Sequence, residues 1–139
     1  YSTKHNPVNN PKRTWQEALT LPGATQMYYV KQLMDTKTTL DRIPAPDMLD
    51  QSITFGAEYM VAMKDAKGNY ALVYMPVGKK TNLKTAFFKT KNISVDWYNP
   101  RLGTYQGKKF IAKSDNIEVT PPTTGMGQDW VLILEAVSN

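Results

Sequence analysis

The chain of 139 residues contains no cysteine and only one histidine, His5. The absence of cysteine excludes a disulfide framework and a thiolate zinc site. His5 lies in a polar opening rich in asparagine and proline, and no second histidine is available to complete a metal site or a catalytic dyad. We therefore expect this chain to hold no metal ion and no cofactor.

Arginine is also scarce, since the chain has 14 lysines but only three arginines, with a formal net charge of +5. The lysines are spread along the sequence, whereas specific nucleic-acid readers concentrate basic residues on one element and use arginine for bidentate base contacts. A nucleic-acid partner is therefore not expected. No run of about 18 apolar residues occurs, so no membrane-spanning segment is expected either.

The first 42 residues carry helical signals. Thr14 and Glu17 have the spacing of a capping box, in which each side chain satisfies a free N–H group at the helix start. Pro22 suits the first position of a second helix, because its fixed φ matches a helix and its missing N–H is not needed there. Met27, Val30 and Met34 follow with helical spacing and predict an apolar helix face.

A proline-stiffened stretch at 43–57 follows, which we interpret as a linker, and after it the hydrophobic period changes to two. Many short strands with glycine and proline between them are typical of a sandwich or a barrel. The sequence therefore predicts a mainly β protein, an antiparallel β-sandwich of about eight strands with one or two N-terminal helices. The strands are expected near 59–63, 70–74, 81–85, 92–98, 104–106, 109–113, 116–119 and 129–135.

Two segments are the most distinctive, Asp96–Gly103 and Gly127–Leu134. In the first, Trp97 ends a stretch in which apolar and polar residues alternate, and a turn containing proline and glycine follows. In the second, apolar residues occupy both faces of the strand, which indicates burial on both sides. This register favours Trp97 and Trp130 as core residues over sugar-stacking ones.

These two segments, together with the Tyr70–Gly78 hairpin strand, resemble a family of C-terminal domains in bacterial secreted proteins known as the collagen-binding domain of a collagenase. The resemblance covers residues 58–136. Residues 15–27 are similar instead to the last helical segment of the (β/α)8 domain that precedes this module in apiosidase-like and other glycoside hydrolases. Asp96 and Asn99 depart from the family pattern, which often has tryptophan and aspartate at these positions.

The resemblance implies a domain organisation and a location. Residues 1–42 would be the end of a (β/α)8 catalytic domain, and residues 58–139 the sandwich domain of the same protein. The protein would be bacterial and secreted, periplasmic or at the cell surface. The apolar face of the 22–35 helix would then need cover, so segment 1–42 is expected either to dock through Trp15, Leu19 and Met27 or to mediate a symmetric contact between two chains.

Three residues are candidates for ligand binding. Tyr98 begins the turn on the face opposite Trp97 and is expected to be exposed, and Tyr105 is a second available aromatic. Arg101 could bind a carboxylate bidentately, although a structural contact with Asp96, Asp129 or nearby carbonyl groups is the alternative.

The function expected from these observations is non-catalytic. The chain would be the accessory domain of a glycoside-hydrolase-like protein, bracing the catalytic barrel and contacting carbohydrate or matrix protein. The alternative is a dedicated collagen- or glycan-binding module with an exposed aromatic surface, for which Phe87–Phe88 could also serve. A third possibility, an enzyme in its own right, requires Asp96 and Asp129 to converge within roughly 5–9 Å, the separation that glycosidases use.

Overall fold

The computed structural model of the chain describes residues 12–37, 40–50 and 56–137. His5 lies outside these ranges. The described part begins with two helices, α1 (Trp15–Ala18) and α2 (Pro22–Asp35). The predicted capping box is present at α1, where the Thr14 N–H donates to the Glu17 carboxylate at 2.8 Å and the Thr14 hydroxyl accepts from the Glu17 N–H at 3.3 Å.

Eight antiparallel strands follow in the described residues, which confirms the predicted fold class. Six of them form one sheet in the order β1-β2-β3-β8-β5-β6, and the other two pair as a small second sheet, β4-β7. The strands are β1 (Arg42–Pro44), β2 (Val61–Asp65), β3 (Tyr70–Met75), β4 (Thr81–Lys84), β5 (Asn92–Asn99), β6 (Thr104–Ala112), β7 (Asn116–Val119) and β8 (Trp130–Val137).

The main core lies between the two sheets. Leu83 from β4 and Ile117 from β7 pack towards the large sheet, whose inward-facing side chains come from β3, β5 and β8. Trp97 and Trp130 meet edge to face in this core, with ring centroids 6.4 Å apart. Both side chains are buried, with Trp130 only 2% exposed, as the alternation of the two segments predicts.

The opposite face of the large sheet is covered in part by α2. Leu33 is buried there, and Tyr29 and Met34 pack beside it against Leu72 and Ile133. Strands β3 and β8 are therefore buried on both faces, which explains why their apolar residues do not alternate with polar ones.

The prediction that the helical segment docks through Trp15, Leu19 and Met27 is wrong. Trp15, Leu19 and Met27 are all exposed, and α2 packs on the sheet through Tyr29 and Leu33 instead. Of the predicted apolar stripe, Met34 reaches this contact, whereas Met27 and Val30 lie to its side and are exposed.

The stretch interpreted as a linker is part of the sandwich over residues 43–50. Ile43 and Pro44 belong to β1, which pairs with β2, and a short 3₁₀ helix at Pro46–Met48 follows. Met48 and Leu49 enter the main core. Strand β1 tolerates proline because it lies at the edge of the sheet. On its outer side no neighbouring strand requires a backbone N–H donor, which proline lacks. Residues 51–55 of the stretch lie outside the described residues.

The two strands predicted near 104–106 and 109–113 form one continuous strand, β6. A bulge opposite Asp96 allows this, because the β5–β6 pairing passes from Val95↔Lys109 to Trp97↔Gln106. Gly107 lies within the bulge with a positive φ of 88°. Gly107 therefore permits a register change within one strand, where the sequence predicted two separate strands.

We predict that Trp97→Ala and Trp130→Ala each lower the free energy of unfolding by roughly 3–5 kcal/mol, because truncating a buried aromatic leaves a cavity. Chemical denaturation measures this loss, and Met126→Ala is the control, since Met126 is 79% exposed. A loss below about 1 kcal/mol for either tryptophan would contradict its place in the core.

Candidate functional site

The two distinctive segments meet at Arg101. Its Nε donates to the Asn99 side-chain oxygen at 3.1 Å, and its Nη1 donates to the Gly127 carbonyl and lies 3.5 Å from an Asp129 carboxylate oxygen. The guanidinium also lies over the Trp130 ring, 5.3 Å from its centroid. Arg101 therefore joins the turn after β5 to the loop before β8, and this geometry favours the structural alternative over ligand binding.

The two candidate carboxylates have separate local roles. Asp96 accepts a hydrogen bond from the Trp97 N–H at 2.8 Å, and Asp129 accepts one from the Tyr74 hydroxyl at 3.2 Å. Asp96 pairs with Ile133 on β8, four residues beyond Asp129. At about 3.4 Å per residue, this places the two main-chain positions roughly 14 Å apart along the strand. The separation does not favour a glycosidase-type pair, whose carboxyl groups lie roughly 5–9.5 Å apart.

Tyr98 is not exposed, contrary to expectation, because α2 covers it. Its side chain is 1% exposed, and its hydroxyl donates to the Tyr29 carbonyl at 2.8 Å. Burial raises the pKa of Tyr98, and the neighbouring Tyr105 and Tyr29 add to the effect. The residue therefore holds α2 on the sheet and offers no accessible surface to a ligand in this structure.

The turn after β5 completes this contact through Gly103. Its φ is +69°, and a Cβ built there would lie 2.5 Å from the Tyr29 ring. A side chain at this position would therefore strain the backbone and push the helix away. The Asn99–Gly103 segment thus contacts both the loop before β8, through Arg101, and helix α2, through Gly103.

Tyr105 is accessible, as the ligand-binding hypothesis requires, with 51% of its surface exposed. Its ring packs against Tyr98 with centroids 5.1 Å apart, so a buried side chain fixes its position. The other aromatics considered are less available, because Phe88 is buried and Phe87 packs against the core. Sequence reasoning overlooked Phe110, which is 68% exposed and whose alternation with the half-buried Ile111 could have placed it on the outer face.

Helix α2 divides its face of the sheet into two depressions of different character. Towards β2 lies an apolar groove of about 230 Å³. Four residues of its lining are successive neighbours on adjacent strands, namely Tyr98, Val131, Tyr74 and Val61. We call it the apolar groove and define it by Val30, Met34, Val61, Met63, Tyr74 and Val131.

Towards β6 the lining is mixed, with charged and polar side chains beside apolar ones. A depression of about 410 Å³ adjoins another of about 360 Å³, and Thr36 lines both. We call the pair the polar trough and define it by Gln32, Lys37, Ser94, Tyr105, Phe110 and Glu135, with Lys108 and Asp35 at its sides.

Glu135 is the central charge of the polar trough. It is paired with Lys37, and Lys108 lies 3.5 Å from its second oxygen. Partial burial acts to raise the pKa of Glu135, but the hydrogen bond and charge of Lys37, supported by Lys108, outweigh it and lower the pKa. The trough therefore holds an ionised carboxylate between two ammonium groups.

Among the described residues, no group of three or more histidine, cysteine, aspartate or glutamate side chains could hold a metal ion. Neither described α-helix, α1 with 4 residues or α2 with 14, has the length and apolar character of a membrane span.

The family described as "Putative collagen-binding domain of a collagenase" matches residues 43–135, and the chain belongs to this family. The match begins within β1, so the family's domain includes the stretch interpreted as a linker. No curated protein matches the chain.

Two solved structures share the fold. One, titled "Glycoside hydrolase", is 21% identical, with a TM-score of 0.81 over the whole chain, which covers 31% of that protein. The other, a glycoside hydrolase family 5 protein from Bacteroides vulgatus, is 23% identical, with a TM-score of 0.77 over 90% of the chain and 27% of that protein. The chain spans less than a third of each.

The close contact at Gly103 makes a prediction that has a matched control. Gly103→Ala and Gly107→Ala both place a side chain at a positive φ, but only the first meets another residue, because nothing lies within 4 Å of a Cβ at Gly107. We expect both to lower the free energy of unfolding by about 1–2 kcal/mol for backbone strain. Gly103→Ala should cost at least about 1 kcal/mol more for the clash with Tyr29. Equal losses in urea denaturation would contradict this role of Gly103.

The lowered pKa of Glu135 predicts a pH dependence. A carboxyl group with a depressed pKa stabilises the fold above its unfolded value of about 4.3, and this contribution is lost as the pH falls through the folded value. Wild type should therefore be more stable than Glu135→Gln at pH 7, and the gap should narrow as the solution is acidified below about pH 4.5. Urea denaturation from pH 7 to pH 3 measures the gap, and a gap independent of pH would contradict the ion pairs.

Proposed function

We propose that this chain is a non-catalytic accessory domain of an exported bacterial glycoside hydrolase, in which it braces an upstream (β/α)8 catalytic domain and contacts carbohydrate. The family assignment and the fold shared with parts of two glycoside hydrolases support an accessory role. The separation of Asp96 and Asp129 supports the absence of catalysis. The proposal keeps residues 1–42 as the end of the catalytic domain.

The observation that carries the bracing role is the apolar groove. Val30, Val61 and Tyr74 are each at least 40% exposed around it, and Met27 extends the same flank of α2. Contiguous apolar surface of this kind on a soluble protein marks an interaction site. We assign the upstream catalytic domain as its occupant, because α2 lies on the N-terminal side of the sandwich and carries one wall of the groove.

The attachment of α2 supports a rigid brace over a flexible tether. The helix is pinned to the sheet by Tyr98 and Leu33, and only Thr36–Asp41 separate it from β1. A domain that ends in this helix would share it with the sandwich. Such an arrangement fixes the relative orientation of two domains, which a long linker would leave free.

A second candidate function is a dedicated collagen- or glycan-binding module. The exposure of Tyr105 and Phe110 on one face favours it, because such a module needs accessible aromatic side chains. This candidate is compatible with bracing, since the two aromatics lie on the β6 side of α2 and the apolar groove lies on the other.

The bracing role is tested in the full-length protein with Val61→Glu, which places a charge in the apolar groove. We expect one cooperative thermal transition in the wild type to separate into two in the variant, because the domains no longer stabilise each other. Leu102→Glu is the matched control, since Leu102 is as exposed but lies outside the groove. An unchanged transition in Val61→Glu would contradict the assignment. So would Val61-dependent dimerisation of full-length protein, because a second copy would then fill the groove.

The non-catalytic role predicts that the separately expressed chain hydrolyses no glycoside or peptide bond. Acid–base catalysis needs two positioned groups of different pKa, and Asp96 and Asp129 are each engaged in local hydrogen bonds. Release of reducing sugar or amine from polymeric substrates measures this. Turnover that Asp96→Asn or Asp129→Asn abolishes with the fold intact would contradict the proposal.

A further inference from the structure

We infer that the polar trough is the carbohydrate site of this domain and that it takes a segment of a neutral oligosaccharide, whose rings stack on Tyr105 and Phe110. This inference deepens the carbohydrate contact proposed above and rests on it. The site lies on the β6 side of α2, away from the apolar groove, so it would stay open when the groove is occupied.

The aromatic side chains provide the first argument. Phe110 and Tyr105 are 68% and 51% exposed, and neither belongs to a core cluster. Both lie along β6 on the face that carries α2, where they border the two halves of the trough. A flat, accessible ring matches the apolar C–H face of a pyranose, so two such rings can hold one chain at two points.

The polar groups provide the second argument. Lys37 and Lys108 are donors, Glu135 and Asp35 are acceptors, and Ser94 and Gln32 can do both. Two lysines and two carboxylates give the lining no net charge, which does not favour a phosphate or another strong anion. A ligand whose groups both donate and accept hydrogen bonds fits this mixture, and sugar hydroxyl groups do so.

The trough is also preorganised. Glu135 lies next to Ser94 on β5, which in turn pairs with Phe110 on β6, so strand register fixes this row across the sheet. Lys37 is mostly buried and ion-paired with Glu135, and Tyr105 rests on the buried Tyr98 ring. Little side-chain freedom is then lost on binding, which favours affinity.

The spacing of the rings sets the size of the ligand. Tyr105 and Phe110 are five residues apart on a strand that contains a bulge, which corresponds to roughly 13–16 Å at the usual rise. One sugar ring cannot contact both. The ligand is therefore a chain of several sugars lying along β6.

The same spacing favours a glycan over a collagen-like peptide. Grooves that bind polyproline II segments place aromatic side chains close together, so that successive prolines fit between them. Here the charged Lys108 and the bulge at Gly107 lie between the two rings. That interval suits hydroxyl groups better than proline rings.

The test is isothermal titration of the full-length protein with neutral hexasaccharides, namely cellohexaose, xylohexaose and mannohexaose, using a variant in which catalysis has been removed from the upstream domain. Binding of at least one is expected, with affinity about tenfold weaker in Phe110→Ala and in Tyr105→Ala, the loss of one stacking contact. Leu102→Ala is the matched control, because it removes an equally exposed apolar side chain outside the trough. It should leave the affinity unchanged.

Three results would overturn the inference. The first is that none of the hexasaccharides binds, and the second is that binding is the same in both aromatic variants as in wild type. The third is that a triple-helical Gly-Pro-hydroxyproline peptide binds and loses affinity in the same variants, which would assign the trough to collagen-like peptide. Val61→Glu, which tests bracing, should not alter titration, so bracing and glycan binding can fail separately.

Discussion

The hydrogen bond from the Tyr98 hydroxyl to the Tyr29 carbonyl, with Gly103 against the Tyr29 ring, fixes α2 on the outer face of the large sheet. The other features of this face depend on that contact. Without it, the sheet would expose Leu72 and Ile133, and no wall would exist for either depression. Arg101 stabilises this contact indirectly, because its hydrogen bond to Gly127 and its ion pair with Asp129 hold the turn that contains Gly103 against the loop before β8.

The position of α2 gives the two sides of the sheet face different chemistry. On the β2 side, apolar residues of the helix and the sheet face each other across a groove suited to a protein surface. On the β6 side, the polar flank of the helix meets Glu135 and two exposed aromatic rings. One element thereby separates a surface that would bind a neighbouring domain from one that would bind a neutral oligosaccharide, and both could be occupied at once.

Local patterns in the sequence predicted the elements of this fold well. The capping box at Thr14, the start of α2 at Pro22 and the burial of Trp97 and Trp130 all depend on residues close in sequence or on a simple two-residue period. Each of these patterns lies within a short stretch of the chain, so it can be read from a single sequence.

Burial of Tyr98 could not be predicted in the same way, because it depends on a helix about 70 residues earlier in the chain. The two-residue period places Tyr98 opposite Trp97 but does not show whether that face meets water or another element. The same limit explains the stretch at 43–50, whose prolines are typical of a linker but also of an edge strand. Phe110 was overlooked because an exposed aromatic within a strand leaves no pattern beyond alternation.

Amide hydrogen exchange across α2 tests the central claim most directly, that the helix is fixed to the sandwich by Tyr98. In wild type the amides of residues 26–35 should exchange slowly, and Tyr98→Phe, which removes only the hydroxyl, should speed their exchange while leaving β3 and β8 protected. Rapid exchange throughout α2 in wild type, or no effect of Tyr98→Phe, would contradict the account.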